Sequence, residues 1–268
     1  MSEYVVRDSA TMLGRNVRHM IRYPSVSLVV VGIPVILLLL FVYVFGGTMG
    51  AGLGAGLGVA SGGRGDYVDY VVPAILLMAI AGGAQSTAIS VAMDMTEGII
   101  ARFRTMGIAR ASVLTGHVLG STLQTLAGLA VVVGVALLVG FRPNANAIEW
   151  LAVAGVLTMI TVAITWFSVA LGMAPDSVEA ASNLPMPLIL LPFLSSGFVP
   201  LDSMPAGIRW FAEFQPFTPF IDTVRGLLMG TAIGNSAVLT LAWCALISLV
   251  GFRWAMKLYS RDFVRPGG

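Results

Sequence analysis

The stretch VVPAILLMAIAGGAQSTAISVAM (Val71–Met93) runs without a single Asp, Glu, Lys or Arg. A bilayer-crossing helix needs about 20 predominantly apolar residues, and this stretch supplies them. Five more charge-free windows, before and after it, meet the same length. The predicted spans are Val26–Phe45, Val71–Met93, Ser112–Phe141, Leu151–Met173, Ala181–Pro200 and Ser236–Phe252. The fold expected is all-α and polytopic, with six transmembrane helices. The third window exceeds what one span requires, so it must tilt or extend past the lipid.

Composition agrees. Hydrophobic residues make up 57% of the 268, charged residues 10%, and the mean hydropathy is +0.90. A soluble domain carries about a quarter charged residues, so a soluble enzyme, a disordered chain and a secreted disulfide scaffold are excluded. Cys244 is the one cysteine, and it lies inside the last window, so there is no disulfide framework. A net charge of +2 does not suggest nucleic acid. Fourteen arginines against one lysine, Lys257, point to a GC-rich genome. The first apolar window is too long for the core of a cleavable signal and no small-residue site closes it.

Charge sets the orientation. The N-terminus, the 94–110 connection, the 174–180 connection and the C-terminal tail together carry eleven basic residues, whereas the opposite side carries four, Arg64, Arg142, Arg209 and Arg225. The positive-inside rule then puts both termini in the cytoplasm. Residues 8–22 form an amphipathic helix, with Arg15, Arg18 and Arg22 on one face and Leu13, Val17, Met20 and Ile21 opposite. Such a helix lies on the membrane surface with its arginines toward anionic headgroups. The glycine-alternating loop Gly46–Gly65 has neither the spacing nor the preceding strand of a phosphate loop and reads as a flexible linker.

In the 94–110 connection, Thr96 and Glu97 are expected to open a helical pattern. Ile99, Phe103 and Met106 follow as one apolar stripe flanked by Arg102 and Arg104. A stripe outside the lipid needs a groove, on another protein or on this chain's own bundle, and the pattern favours neither. The 202–230 segment reads as two short helices at the outer surface. Pro205 opens the first and Gln215–Pro216 breaks it. Thr218 is the expected N-cap of the second, with Pro219 at its first position and Asp222 in its first turn. Arg225 lies within reach of Asp222, and Gly230 marks the stop. Trp and Phe at that depth are also ordinary interfacial anchors.

Some chemistry is missing. The only lysine, Lys257, follows Met256 rather than a glycine-rich loop, so there is no Walker site. His19 and His117 alone cannot make a metal centre. All 13 acids lie in tails, connections or span ends, which argues against a self-powered proton antiporter. Mild polar stripes do run along the spans: Gln85, Ser86 and Ser90 on the second, His117, Ser121 and Gln124 on the third, Thr158, Thr161, Thr165 and Ser168 on the fourth. They serve either as interhelical hydrogen-bond glue or as the lining of a substrate path, to which Gln85, His117, Ser121, Gln124, Thr161 and Thr165 are assigned. Pro185, Pro187, Pro192 and Pro200 interrupt the fifth window, which cannot be a regular helix throughout.

Three stretches, in order, carry a resemblance: MDMTEGIIARFRTMGIARASVLTGHVLG (Met93–Gly120), SNLPMPLILLPFLSSGFVPLDSMP (Ser182–Pro205) and FQPFTPFIDTVRGLLMG (Phe214–Gly230). Together with six spans, the chain resembles the ABC-2 type membrane subunit of ABC exporters, most of all the daunorubicin-resistance-like permeases. It departs from their pattern at Gly107, where proline is frequent, and at His117, where arginine is frequent. The resemblance implies an interfacial N-terminal helix, a cytoplasmic coupling helix in 94–110 and an external re-entrant helical hairpin in 202–230. It also implies a permease dimer, with a second copy or a paralogue, in a bacterial plasma membrane and bound to separate ATPase subunits that hold ATP and Mg. No cofactor is expected on this chain. Glu97, Ile99, Arg102, Phe103, Arg104 and Met106 fall to ATPase coupling, and Thr218, Pro219, Asp222 and Arg225 to an external gate. The implied cargo is an amphipathic drug, a polyketide or a lipid. The alternatives are export of a cell-envelope lipid or glycoconjugate, a lipid-modifying membrane enzyme, and a non-transporting scaffold.

Overall fold

A computed structural model describes residues 24–48, 50–51, 63–97, 110–175 and 177–261. The expected surface helix at 8–22, with Arg15, Arg18 and Arg22, lies outside them. So do Ile99, Arg102, Phe103, Arg104 and Met106. Among the described residues every regular element is helical. Hydrocarbon offers the backbone no hydrogen-bond partners, and a helix satisfies its own.

Helix α1 (Pro24–Leu40) continues into a π-helical turn, Phe41–Phe45. Then follow α2 (Arg64–Thr96), α3 (Arg110–Val139) and α4 (Ala147–Met173). Short pieces come next: α5 (Val178–Asn183), α6 (Met186–Leu190), and 3-10 turns at Leu191–Leu194 and Leu201–Ser203. Helices α7 (Ala206–Phe214) and α8 (Phe217–Met229) form a hairpin, and α9 (Ser236–Arg261) closes the described chain.

Among the described residues, five helices are long and apolar enough to cross a bilayer: Val31–Thr48, Gly65–Thr96, Leu114–Val139, Ala147–Met173 and Ser236–Ser260. The window predicted as a fifth span, 181–200, is no single helix. Its apolar helical part, Val178–Leu194, ends early, broken where Pro185 and Pro192 each lack the N–H that a continuous ladder requires. Elsewhere the helices outrun their apolar windows because polar caps extend them. Asp66 Oδ2 accepts from Gly63 N at 3.0 Å and starts α2 about two turns before Val71. Asn146 Oδ1 accepts from Ile148 N and Glu149 N, and Glu149 Oε2 accepts in return from Asn146 N. This reciprocal box sets the start of α4.

Helix α2 is the hub. Every residue from Val71 to Ala81 is buried, as expected of a helix that is apolar all round. It packs against α1, α3, α4, α5 and α8. Small residues let backbones meet. A Cβ on Gly172 of α4 would stand 2.5 Å from Ala88 O of α2, and one on Gly251 of α9 would stand 2.6 Å from Phe167 N of α4. Close approach of this kind drives helix association where lipid gives no hydrophobic preference. Toward one end, Val91, Leu114, Val118, Val169, Met173, Ala255 and Tyr259 form a second core that ties α2, α3, α4 and α9 together.

Candidate functional site: a guanidinium knot under the α7–α8 hairpin

The α7–α8 hairpin owes its shape to local chemistry. Helix α7 ends at Phe214 because Pro216 follows, and Gln215, the residue before that proline, is extended (ψ 153°). Helix α8 begins at Phe217, one residue earlier than the Thr218 cap predicted from sequence. Thr218 therefore lies inside the helix. Its hydroxyl donates to Ala212 O at 2.6 Å, satisfying a carbonyl in the last turn of α7 that has no intrahelical partner of its own. Gln215 Nε2 donates to Leu191 O and Leu194 O at 3.0 and 2.9 Å, tying the hairpin tip to the broken segment. Gly230 ends α8 in the left-handed region (φ 69°), where an L side chain would be strained.

One face of α8 carries the ion pair. Arg225 Nη1 donates to Asp222 Oδ1 at 3.0 Å, with the two side chains 15% and 33% exposed. Arg225 Nη2 donates to Ser196 O at 2.8 Å, Tyr70 O at 3.2 Å and Gly197 O at 3.4 Å. The guanidinium carbon stands 3.9 Å from the centroid of the Tyr70 ring, a cation–π distance. Tyr70 Oη donates to Ser196 O and Ser196 Oγ to Asp222 Oδ1, both at 2.7 Å. Arg225 thus knots α2, the turn at 195–198 and α8. A planar guanidinium with five donors suits this task in a way an ammonium does not. Its Nε remains buried without a partner among the described residues.

The same hairpin is pinned to its neighbours. Thr240 of α9 donates to Pro219 O at 3.0 Å. That commits the Thr240 proton, so Thr223 is the donor in the 3.0 Å Thr223–Thr240 contact. The 141–146 loop closes the far end of α8. Asn144 N donates to Leu228 O, and Arg142 N donates to Asp69 Oδ1 of α2, both at 2.9 Å.

At the opposite end of α2, Thr96 is the last helical residue and Glu97 its C-cap, with Glu97 N donating to Met93 O at 2.9 Å. These two residues close a helix rather than open one, since Thr96 Oγ1 also turns back to Met93 O. Glu97 is exposed there. His117 Nε2 lies 3.1 Å from Asp94 Oδ2, with both side chains nearly buried. This pair joins the two helices that the 98–109 connection links in sequence.

The polar stripes do not converge on one channel through their hydrogen bonds. Gln85 Nε2 donates to Ser182 O at 2.9 Å, joining α2 to α5. Thr161 is buried and donates to Leu157 O of its own helix at 2.7 Å. Thr165 is buried on α4, and Ser121 and Gln124 are half-buried on α3. Among the described residues, no three His, Cys, Asp or Glu side chains are grouped to hold a metal.

Comparison with known proteins extends these observations. A family model described as ABC-2 type transporter matches residues 8–229. The chain is 27% identical over 256 residues to a daunorubicin resistance ABC transporter permease protein of Streptomyces coeruleorubidus, covering 95% of this chain and 86% of that protein. It is 30% identical over 195 residues to a probable doxorubicin resistance ABC transporter permease protein of Mycobacterium tuberculosis, covering 69% of this chain and 70% of that one.

Proposed function

The chain belongs to the ABC-2 type transporter family, and we propose that it is the permease of a two-component exporter that moves hydrophobic or amphipathic compounds outward. The observation that carries this is the family match over residues 8–229. Likeness to permeases named for daunorubicin and doxorubicin resistance supports an amphipathic drug, a polyketide or a lipid as cargo. ATP and Mg would sit on a separate ATPase, since the sequence has no glycine-rich loop ending in lysine.

In this reading Val178–Leu194 and the turn after it serve as the remaining crossing, giving six, with both termini cytoplasmic in the plasma membrane. Two such permeases, or one and a paralogue, pair around the exported compound. The 8–22 helix rides on lipid headgroups. Residues 94–110 meet the ATPase through Ile99, Phe103 and Met106, rimmed by Glu97, Arg102 and Arg104. The α7–α8 hairpin is the external gate. Asp222 and Arg225 lock it, and Thr218 and Pro219 hold its tip. Gln85, His117, Ser121, Gln124, Thr161 and Thr165 act first as packing groups. A path along them would require the bonds of Gln85, His117 and Thr161 to exchange.

The test is reconstitution. The chain alone should hydrolyse no ATP. The chain with a separate ATP-binding subunit should hydrolyse ATP and accumulate doxorubicin in inside-out vesicles. Robust hydrolysis by the chain alone would sink this reading. Transport of an envelope lipid without transport of the drug would move the cargo to the lipid or glycoconjugate class.

A further inference from the structure

A second feature lies beside the hairpin tip, at Pro216 and Phe217. Between α4, α6, α8 and α9 is a groove of about 280 Å³, walled by Ile164 and Phe167, Leu188, Phe217 and Trp243. Every residue lining it is apolar. Leu246 and Val250 of α9 form part of its wall and are 50% and 45% exposed, so the groove is continuous with the open outer face of α9.

Its depth follows from the helices. Ile164 stands about 26 Å along α4 from the start of that helix, within a hydrocarbon layer about 30 Å thick. Phe217 opens α8, whose other end is bonded to the 141–146 loop through Leu228 O. At about 1.5 Å per residue, the stretch from Leu228 back to Phe217 carries the start of α8 about 16 Å from that loop. The groove therefore lies at acyl-chain depth, provided that α4 and α9 cross the bilayer as proposed above.

Water cannot be the filler. A bound water needs two to four polar partners, and this wall has none to give. An apolar cavity of about 150 Å³ already takes a benzene ring, and a larger one left empty forfeits the dispersion contacts of all its lining. The surroundings at this depth offer one abundant apolar filler. We propose that the groove is a lipid site that takes an acyl chain of a bilayer phospholipid, lodged between α9 and the hairpin tip. The chain would rest on half-buried Pro216 at the hairpin tip, just before α8, and on half-buried Leu188 of the broken segment. Lipid would thus take part in holding the hairpin.

Fluorescence tests this on the full chain reconstituted in phosphatidylcholine, with Trp150, Trp166, Trp210 and Trp254 replaced by Phe so that Trp243 reports alone. Lipid brominated at mid-chain should quench Trp243 severalfold more than lipid brominated near the headgroup. Filling the groove with Ile247→Phe or Leu188→Phe should cut that quenching at least twofold. In native mass spectrometry the same variants should lose a phospholipid that the parent chain retains. The quenching needs no filled variant to fold, and neither readout depends on an ATPase or on transport, so it stands or falls apart from the export reading. Equal quenching at both depths would mean that protein rather than lipid covers the groove, and would overturn the proposal. Displacement of the brominated chain by micromolar doxorubicin would overturn it too, reassigning the groove to the exported compound.

Discussion

Arg225 shows how much one side chain can hold when its partners are backbone. An exposed ion pair contributes about 0–1 kcal/mol, and sequence alone allows no more for Asp222 and Arg225. In the fold Arg225 is only 15% exposed and also satisfies Ser196 O and Tyr70 O. Arg225→Ala leaves those carbonyls and Asp222 short of donors in a half-buried site, at a cost of about 2–3 kcal/mol. We expect its melting temperature in detergent to fall by about 5–10 °C. Tyr70→Phe removes one hydrogen bond to Ser196 O but keeps the ring under the guanidinium, so it should lose only about 1 kcal/mol. Asp222→Ala should impair export while the carbonyl bonds of Arg225 preserve assembly with the ATPase. Wild-type melting in Arg225→Ala would mean that the knot is not formed in the membrane.

Between elements, the decisive residues are those with no side chain. Gly172 and Gly251 let α4 lie against α2 and α9 at backbone distance. Gly172→Ala or Gly251→Ala sets a methyl against backbone atoms that cannot rotate away, and should destabilise by about 1–3 kcal/mol. Gly155 on α4 faces open space. Gly155→Ala removes a flexible residue from a helix interior and should be neutral or stabilising by about 0.5–1 kcal/mol. Thermal melting of the three variants side by side checks the contrast. If all three behave alike, the helix packing around α4 is wrong.

For the whole molecule, orientation and coupling can be tested without a further structure. In a Cys244→Ala background, a cysteine at Ser61 should react with an impermeant thiol reagent applied outside intact cells, and one at Ser260 should not. The reverse pattern would invert the eleven-to-four charge argument. Phe103→Ala should weaken ATPase binding by tens-fold, because an aromatic anchor in a partner's pocket contributes 2 kcal/mol or more. Arg102→Ala and Arg104→Ala should have smaller, salt-sensitive effects at the rim. Measuring melting and affinity on the same Phe103→Ala protein separates coupling from packing. A destabilised permease whose folded fraction binds normally would place Phe103 in the chain's own bundle.

The class of fold is legible in the residues alone, because hydrocarbon demands long apolar helices and only charge-free windows can supply them. Sequence located five such helices, four of them to within about two turns and the last, 236–252, with its end nine residues short of Arg261, and the prolines of 181–200 announced that the next segment would be broken. It paired Asp222 with Arg225, since residues three apart share a helix face. Tertiary structure alone decided the rest. Tyr70 and Ser196 reach Arg225 from 155 and 29 residues away in the chain, and no local periodicity encodes such distances. Thr218, read locally as a cap for its own helix, instead serves the helix before it. The groove beside Trp243 has no signature of its own, because it is space left where four helices fail to close on one another. Periodicity and caps act over one or two turns, whereas knots and cavities depend on which helices become neighbours.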